Sequence, residues 1–437
     1  MGNLRLGFYL TEKRDTPMKL SNTLILLFCI VSQSCISSHH SEVTAGQVGI
    51  EMTSLIGFFN ANAFNSRSGA YYSEIDNRGE VVSDKVYTVA LSRMIYGLAY
   101  SSPTNPENLL KAQLAAQFQL NHMLGEDEHG SYFLSWVNVP NNSSFNGNGV
   151  LKDESQQLDV WQQAYGLNGL VELYRQTKNE QLLFTIRELH KAFVKRFRDP
   201  INLGFVGAYE IGRGQISQSK SIQSLMYPVT AYMANLWMAD VEYRREYETI
   251  LNEHITLLGD IGWNEDLHWI NVKFDERWQP CESTQDNTCS SVSPGHNFQL
   301  AALFLRASEW PFIAAQKRVI LQEKGQRIIE ATLAKPIYGE NGIAQGFAGG
   351  FNPLTNQPSD IRKAWWQHCE AIIALSLQDE YHNERDALLA FFFAHFFDKE
   401  YGGEFFFLDE HNQPVTSELK GSIGKSVYHT VEMIRFL

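Results

Sequence analysis

Two histidines stand out in this chain for the company they keep. Ser293-Pro294-Gly295-His296-Asn297-Phe298-Gln299 reads as a helix start, with Ser293 as N-cap, Pro294 at the first position and His296 at the third. A helix N-terminus disfavours imidazolium, so His296 is held neutral and able to accept a proton near pH 7. Gln299 falls one turn on, on the same face, where its amide oxygen can accept the other ring N–H and fix the tautomer. The second histidine, His429, lies in Lys425-Ser426-Val427-Tyr428-His429-Thr430 at the start of the last helical stretch. Either residue also fits a plain packing role. His39, His40, His122, His129, His190, His382, His395 and His411 read as surface or linker residues.

Other chemistry is poorly represented. The chain holds no Gly-rich phosphate loop, no G-x-S-x-G elbow, no H-E-x-x-H and no C-x-x-C. A hydrolase would need two opposed carboxylates; Asp159, Glu172, Asp360 and Glu370 are candidates, and no spacing singles out a pair. Cys369 sits in an apolar helix as a buried thiol. Cys281 and Cys289 lie eight apart in a polar loop, where an oxidising compartment could bridge them, and neither has a partner at zinc-ligand spacing. No metal site is expected.

The elements that must position these residues are mostly helical. Of 437 residues 44% are apolar, so the chain can bury a large core. The formal net charge of −13 argues against nucleic acid as a partner. Helical stretches fall at 44–61, 85–101, 105–124, 156–177, 179–198, 220–240, 243–259, 294–309, 312–334, 362–379, 382–398 and 424–437. In 179–198, Leu182, Ile186, Leu189, Phe193 and Phe197 make one apolar face, whereas 158–174 is apolar around most of its circumference. Outer helices thus alternate with enclosed ones. Between the pairs come Gly/aromatic hairpins: Gly69-Ala70-Tyr71-Tyr72 before Asp76-Asn77-Arg78-Gly79, then Gly130–Phe133, Gly204-Phe205, Gly262-Trp263, Gly349–Phe351 and Gly402–Phe407 before Asp409. Six hairpins against twelve helices predict an all-α (α/α)6 barrel with the short β-hairpins and inner-helix starts on one rim; the alternative is an open helical solenoid. Polar loops at 141–155 and 280–293 are placed to overhang that rim.

Residues 1–41 read as an export signal and linker, and 42–437 as the barrel domain. Met18-Lys19-Leu20 leads into an apolar run, Leu24–Val31, too short to span a bilayer. Ser32-Gln33-Ser34-Cys35 is a loose lipoprotein box, so the expected location is periplasmic or outer-membrane, with membrane contact only through a lipid at Cys35. Translation beginning at Met18 fits equally.

Several segments then carry a resemblance: Ala90-Leu91-Ser92-Arg93-Met94-Ile95-Tyr96, Trp161-Gln162-Gln163-Ala164-Tyr165-Gly166-Leu167, Pro294-Gly295-His296, Lys363-Ala364-Trp365-Trp366-Gln367-His368-Cys369-Glu370-Ala371 and Lys425–Thr430. In this order, from about residue 44 to the end, the chain resembles the N-acylglucosamine 2-epimerase family, which includes cellobiose 2-epimerases and mannose isomerases. The resemblance implies proton transfer next to the carbonyl of an open-chain mono- or oligosaccharide, through a cis-enediolate and without a cofactor. By position His296 and His429 match the two proton-handling histidines, and Arg93 the arginine at the carbonyl oxygens. Trp365, Trp366 and Tyr71 would offer flat faces to a sugar ring, with Glu370 among the groups around the substrate. There are departures from the family's pattern. Gln299 stands where Glu is usual, Tyr227 and Thr230 where relatives show His and Glu, Gln162 where Asp is common, and Gly424 where Trp often precedes the lysine. The resemblance leaves epimerisation and aldose–ketose isomerisation both open. The rivals are a glycoside hydrolase or lyase using Glu370 or Asp159, and a non-catalytic carbohydrate-binding lipoprotein.

Overall fold

The computed structural model describes residues 45–140, 152, 155–281, 289, 292–340 and 342–437. The segment expected to be an export signal, with Cys35, and most of the loops 141–155 and 280–293 lie outside the described residues. Cys281 and Cys289 are joined by a disulfide, with Cα atoms 6.2 Å apart.

Helices follow one another along the chain: α1 (Ala45–Asn62), α2 (Thr88–Ser101), α3 (Pro106–His122), α4 (Val160–Thr177), α5 (Glu180–Phe197), α6 (Ile222–Pro228), α7 (Ala234–Ala239), α8 (Arg244–Ile261), α9 (Pro294–Ser308), α10 (Ala315–Leu333), α11 (Trp365–Ser376), α12 (His382–His395) and α13 (Tyr428–Arg435). α6 and α7 form one run joined by a π-turn, Val229–Met233, which follows Pro228 inside the run. Proline has no N–H for the helical ladder, so the backbone widens rather than breaks. The expected stretches beginning at 85, 156 and 362 start later because Lys85–Tyr87, Gln157–Asp159 and Lys363–Ala364 pair as strands first.

The alternation of enclosed and amphipathic helices separates two layers. α2 is buried along its whole length except Tyr100, and α4, α9 and α11 are buried nearly all round. In contrast α3, α8 and α10 bury only one stripe. Inner helices meet through polar side chains that reach between them. The Ser92 hydroxyl accepts from the Gly169 N–H at 2.9 Å and joins α2 to α4. Asn168 donates to the Ala231 carbonyl at 2.6 Å, and Tyr227 bonds His296 across α6 and α9. The Gly295 N–H donates to Gln367 at 2.8 Å between α9 and α11, Glu370 bonds His429 between α11 and α13, and Tyr96 donates to Glu432 between α2 and α13. That sequence of contacts returns to its start, which makes the fold an (α/α)6 barrel rather than an open solenoid.

Short strand pairs cap the helix pairs, with one correction to the expected hairpins. Phe407–Leu408 pairs with Lys363–Ala364 from the preceding unit, instead of folding back only on its own loop. Three rim loops share one turn. Asp76, Asp275 and Asp409 each accept N–H groups two and four residues on. The third residue past each Asp (Gly79, Trp278, Asn412) has positive φ, a conformation open to Gly and Asn and strained for Trp. Trp278 is held there by its indole N–H, shared by the Asn202 and Leu203 carbonyls at 3.1 Å.

His190 departs from its expected surface position: it is buried and its Nδ1 lies 2.9 Å from the Tyr232 hydroxyl. The buried stripe of α5 runs through Leu183, Ile186, His190, Phe193 and Phe197, with Leu182 only half-buried at its edge.

The seam between α2 and α4 tolerates no added atom. A Cβ on Gly169 would lie 2.2 Å from the Ser92 carbonyl oxygen, whereas one on Gly57 of α1 meets nothing within 4 Å. Gly169→Ala is therefore expected to cost about 1–3 kcal/mol by overpacking. Gly57→Ala should gain about 0.5–1 kcal/mol through helix propensity. Urea unfolding of the two variants beside the wild type checks the opposite signs.

Candidate active site

A cavity of about 660 Å³ opens at the N-terminal ends of the inner helices. Its wall carries Arg93 from α2; Trp161, Gln162 and Tyr165 from α4; Gln223 and Tyr227 from α6; and Gln299 from α9. Trp365 and Trp366 from α11, His429 from α13, and Asp159, Phe406, Ser422, Ile423 and Gly424 from the rim complete it. Converging helix N-termini give the cavity a positive potential suited to a developing oxyanion.

His429 faces this space with a carboxyl behind it. Its Nδ1 lies 3.0 Å from Glu370 Oε1; with the ring proton on Nδ1, Nε2 presents a lone pair. Burial, with the charges of Arg93, Lys425 and His296 adding to it, holds the imidazole well below its usual range. Burial first, and the Glu432 charge second, push the Glu370 carboxyl up to about 8 against the pull of Arg93. Both shifts favour the uncharged forms of the pair, and a proton arriving on Nε2 would draw Glu370 toward its carboxylate form. Gln299 donates its amide to the same Glu370 oxygen at 3.3 Å.

That contact corrects two expectations. Gln299 lines the cavity but orients Glu370, not His296. Glu370 is not on the cavity wall; it supports His429 from behind. The α9–α11 seam is what turns the glutamine away, by bringing the Glu370 carboxyl within reach of its amide. Tyr71 is corrected as well. Its ring packs on Phe64 and its hydroxyl donates to Asn60 at 2.6 Å, away from the cavity.

His296 adjoins the wall beside Tyr227 and is partly exposed. Its Nε2 lies 3.1 Å from the Tyr227 hydroxyl, and burial lowers its pKa to about 4. The Ser293 side chain makes no capping bond, although α9 does begin at Pro294 as the sequence indicates. Trp366 fills the gap between the two histidines, its ring 5.0 Å from His296 and 5.9 Å from His429. Arg93 stacks on Tyr165 at 4.0 Å and donates to the Gly424 carbonyl, so its guanidinium is fixed beside the mouth. Gln162 accepts from Ser135 at 2.9 Å. Trp365 is buried, with the Lys425 ammonium 4.3 Å from its ring. Lys425 in turn pairs with Glu404 at 3.5 Å, both wholly buried.

The wall residues missed in the sequence are Gln223, Phe406, Ser422 and Ile423. The aromatic run Phe405-Phe406-Phe407 and the closeness of Ser422 to Lys425 were the available signals for two of them; Gln223 and Ile423 carried none. Among the described residues no group of three or more His, Cys, Asp or Glu side chains is arranged to hold a metal ion.

With this geometry in hand, the comparisons are direct. The barrel of six helix pairs is a fold shared with solved sugar epimerases and isomerases. The family model for N-acylglucosamine 2-epimerase (GlcNAc 2-epimerase) matches residues 69–433, and the chain belongs to this family of sugar epimerases and isomerases. A D-mannose isomerase structure superposes with a TM-score of 0.75 at 15% identity, over 90% of this chain and 97% of that one. A sugar epimerase from a ruminal bacterium gives 0.74 at 16% identity, over 89% and 97%. A cellobiose 2-epimerase from Spirochaeta thermophila gives 0.72 at 16% identity, over 90% and 96%. No curated protein sequence matches significantly.

The raised Glu370 pKa has a sign that can be read in stability. A carboxyl with a folded pKa above its unfolded value contributes stability at low pH and loses it as pH rises through the folded value. Wild type should accordingly lose stability between about pH 4.5 and 8 relative to Glu370→Gln, which cannot ionise. Urea midpoints of both proteins at pH 5 and pH 8 measure the difference; parallel midpoints would contradict it.

Proposed function

We propose that the protein is a carbohydrate 2-epimerase or aldose–ketose isomerase acting on an open-chain sugar through an enediolate. His429 is the base at the cavity wall, His296 is the second histidine of the site, and Arg93 steadies the oxygens as they gain charge. The observation that carries this reading is the His429–Glu370 pair at the cavity wall: an imidazole with one nitrogen tied to a buried carboxyl presents its other nitrogen as a base. A group so placed contributes roughly 10²–10⁴ in rate to proton transfer. The half-buried Trp366 and Trp161 offer faces for the apolar side of a sugar ring. The structural neighbours, a D-mannose isomerase and a cellobiose 2-epimerase, supply the first sugars to try.

A glycoside hydrolase is less well supported. Among the described residues of the wall, Asp159 is the sole carboxylate, and it caps α4 by accepting from the Gln162 N–H at 3.2 Å. An inverting or retaining hydrolase needs a second carboxyl facing it across the bond. Export, with Cys35 as a lipid anchor, is part of the same proposal, and the Cys281–Cys289 disulfide fits an oxidising compartment.

Aldoses and disaccharides incubated with the protein in D₂O are expected to gain deuterium at C1 or C2. His429→Ala should lower that exchange about 10²-fold or more while sugar binding persists. Release of a smaller sugar would indicate a hydrolase or lyase instead. An unaltered sugar that still binds would indicate a binding protein.

A further inference from the structure

The two histidines are unequal. His429 is on the wall and has Glu370 behind it, while His296 is partly exposed, pairs with no carboxyl among the described residues and has its Nε2 engaged by the Tyr227 hydroxyl. The Tyr227 ring is braced edge-on against Tyr165 at 5.8 Å, just before the π-turn that follows Pro228. From this juxtaposition we propose that Tyr227 moves the oxygen proton of the sugar, with His296 as its positioning residue. His429 is then the one acid–base at carbon, and the reaction is aldose–ketose exchange. The proposal rests on the reading of the cavity as a sugar proton-transfer site.

The chemistry favours this division. Inversion at carbon needs a second acid–base on the opposite face, able to take up and release a proton at neutral pH. A histidine with no carboxyl beside it among the described residues, and with its Nε2 engaged by a phenol, is poorly suited to that. Burial keeps both groups neutral, lowering His296 to about 4 and raising the Tyr227 hydroxyl. A neutral imidazole whose Nε2–H donates to the phenol oxygen turns the phenol O–H toward the cavity. Such a hydroxyl can give one proton and receive another in a single exchange, without holding a full charge.

The steps balance. His429 Nε2 takes the C2 hydrogen; its bonding pair becomes the C1–C2 double bond, and the carbonyl π pair moves onto O1. Tyr227 gives its proton to O1 and receives the O2 proton. His429 then returns its proton to C1 as the double-bond pair forms the C1–H bond, while an O2 lone pair closes the C2 carbonyl. Tyr227, His296 and His429 end as they began, and no oxidant or reductant is required.

The test uses D-mannose and cellobiose carrying deuterium at C2 of the reducing sugar, with wild type and Tyr227→Phe. Wild type in H₂O is expected to form ketose with part of the label at C1. Tyr227→Phe should form ketose about 10²-fold more slowly, with KM little changed. Its ratio of C2 exchange to ketose formation should rise, an effect that a general packing defect would not produce. A main product that is the C2 epimer, or a Tyr227→Phe variant as fast as wild type, overturns the proposal and leaves the proton-transfer reading intact. Absence of C2 exchange in wild type with both sugars overturns both.

Discussion

The last helix has to dock between the first inner helix and its neighbour, and the site depends on that closure. α13 is only eight residues long, too short to be stable alone. It is held instead by buried polar contacts on both flanks. On the α11 side are His429 to Glu370, and Thr430 donating to Glu404 at 2.5 Å. On the α2 and α4 sides are Tyr96 to Glu432, and Arg435 to Glu172 at 2.8 Å. Leaving one buried polar member of such contacts without its partner costs about 1–3 kcal/mol. The same contacts that close the ring therefore also fix the orientation of His429.

Placement of the cavity follows from the helix layers. Inner helices are enclosed by apolar neighbours along their length, so polar side chains are satisfied at their N-terminal ends, where the rim hairpins leave an opening. Partial positive charge from the helix dipoles gathers there. Arg93, stacked on Tyr165 and tied to Gly424, adds a full charge without rotamer freedom to lose. A site built on rigid helix starts and braced by aromatic rings is preorganised for a charge that exists only during the reaction.

The support behind the first layer of residues is as specific as the layer itself. The Lys425–Glu404 pair lies under Trp365, with the ammonium against the indole face. Gln299 fills a position between Glu370 and the cavity, and its uncharged amide lets the buried carboxyl keep a raised pKa. A second carboxylate there would have to share the same small, poorly solvated volume with Glu370.

The periodicity of apolar residues determined the helices and their inner and outer layers, because burial of one stripe or of the whole circumference is written at 3.6-residue spacing; closure of the ring was decided by the contacts of α13. It also determined that His296 and His429 sit at helix starts, since Pro294 and the final segment mark those starts locally. Partnership was decided only in three dimensions. Whether Gln299 faces His296 or Glu370, whether Tyr71 meets a cavity or Asn60, and whether His190 lies inside or outside depend on which neighbouring helix arrives opposite. A side chain's hydrogen bond goes to the strongest acceptor within reach, and reach across a helix seam is set by tertiary packing, of which one sequence carries no record.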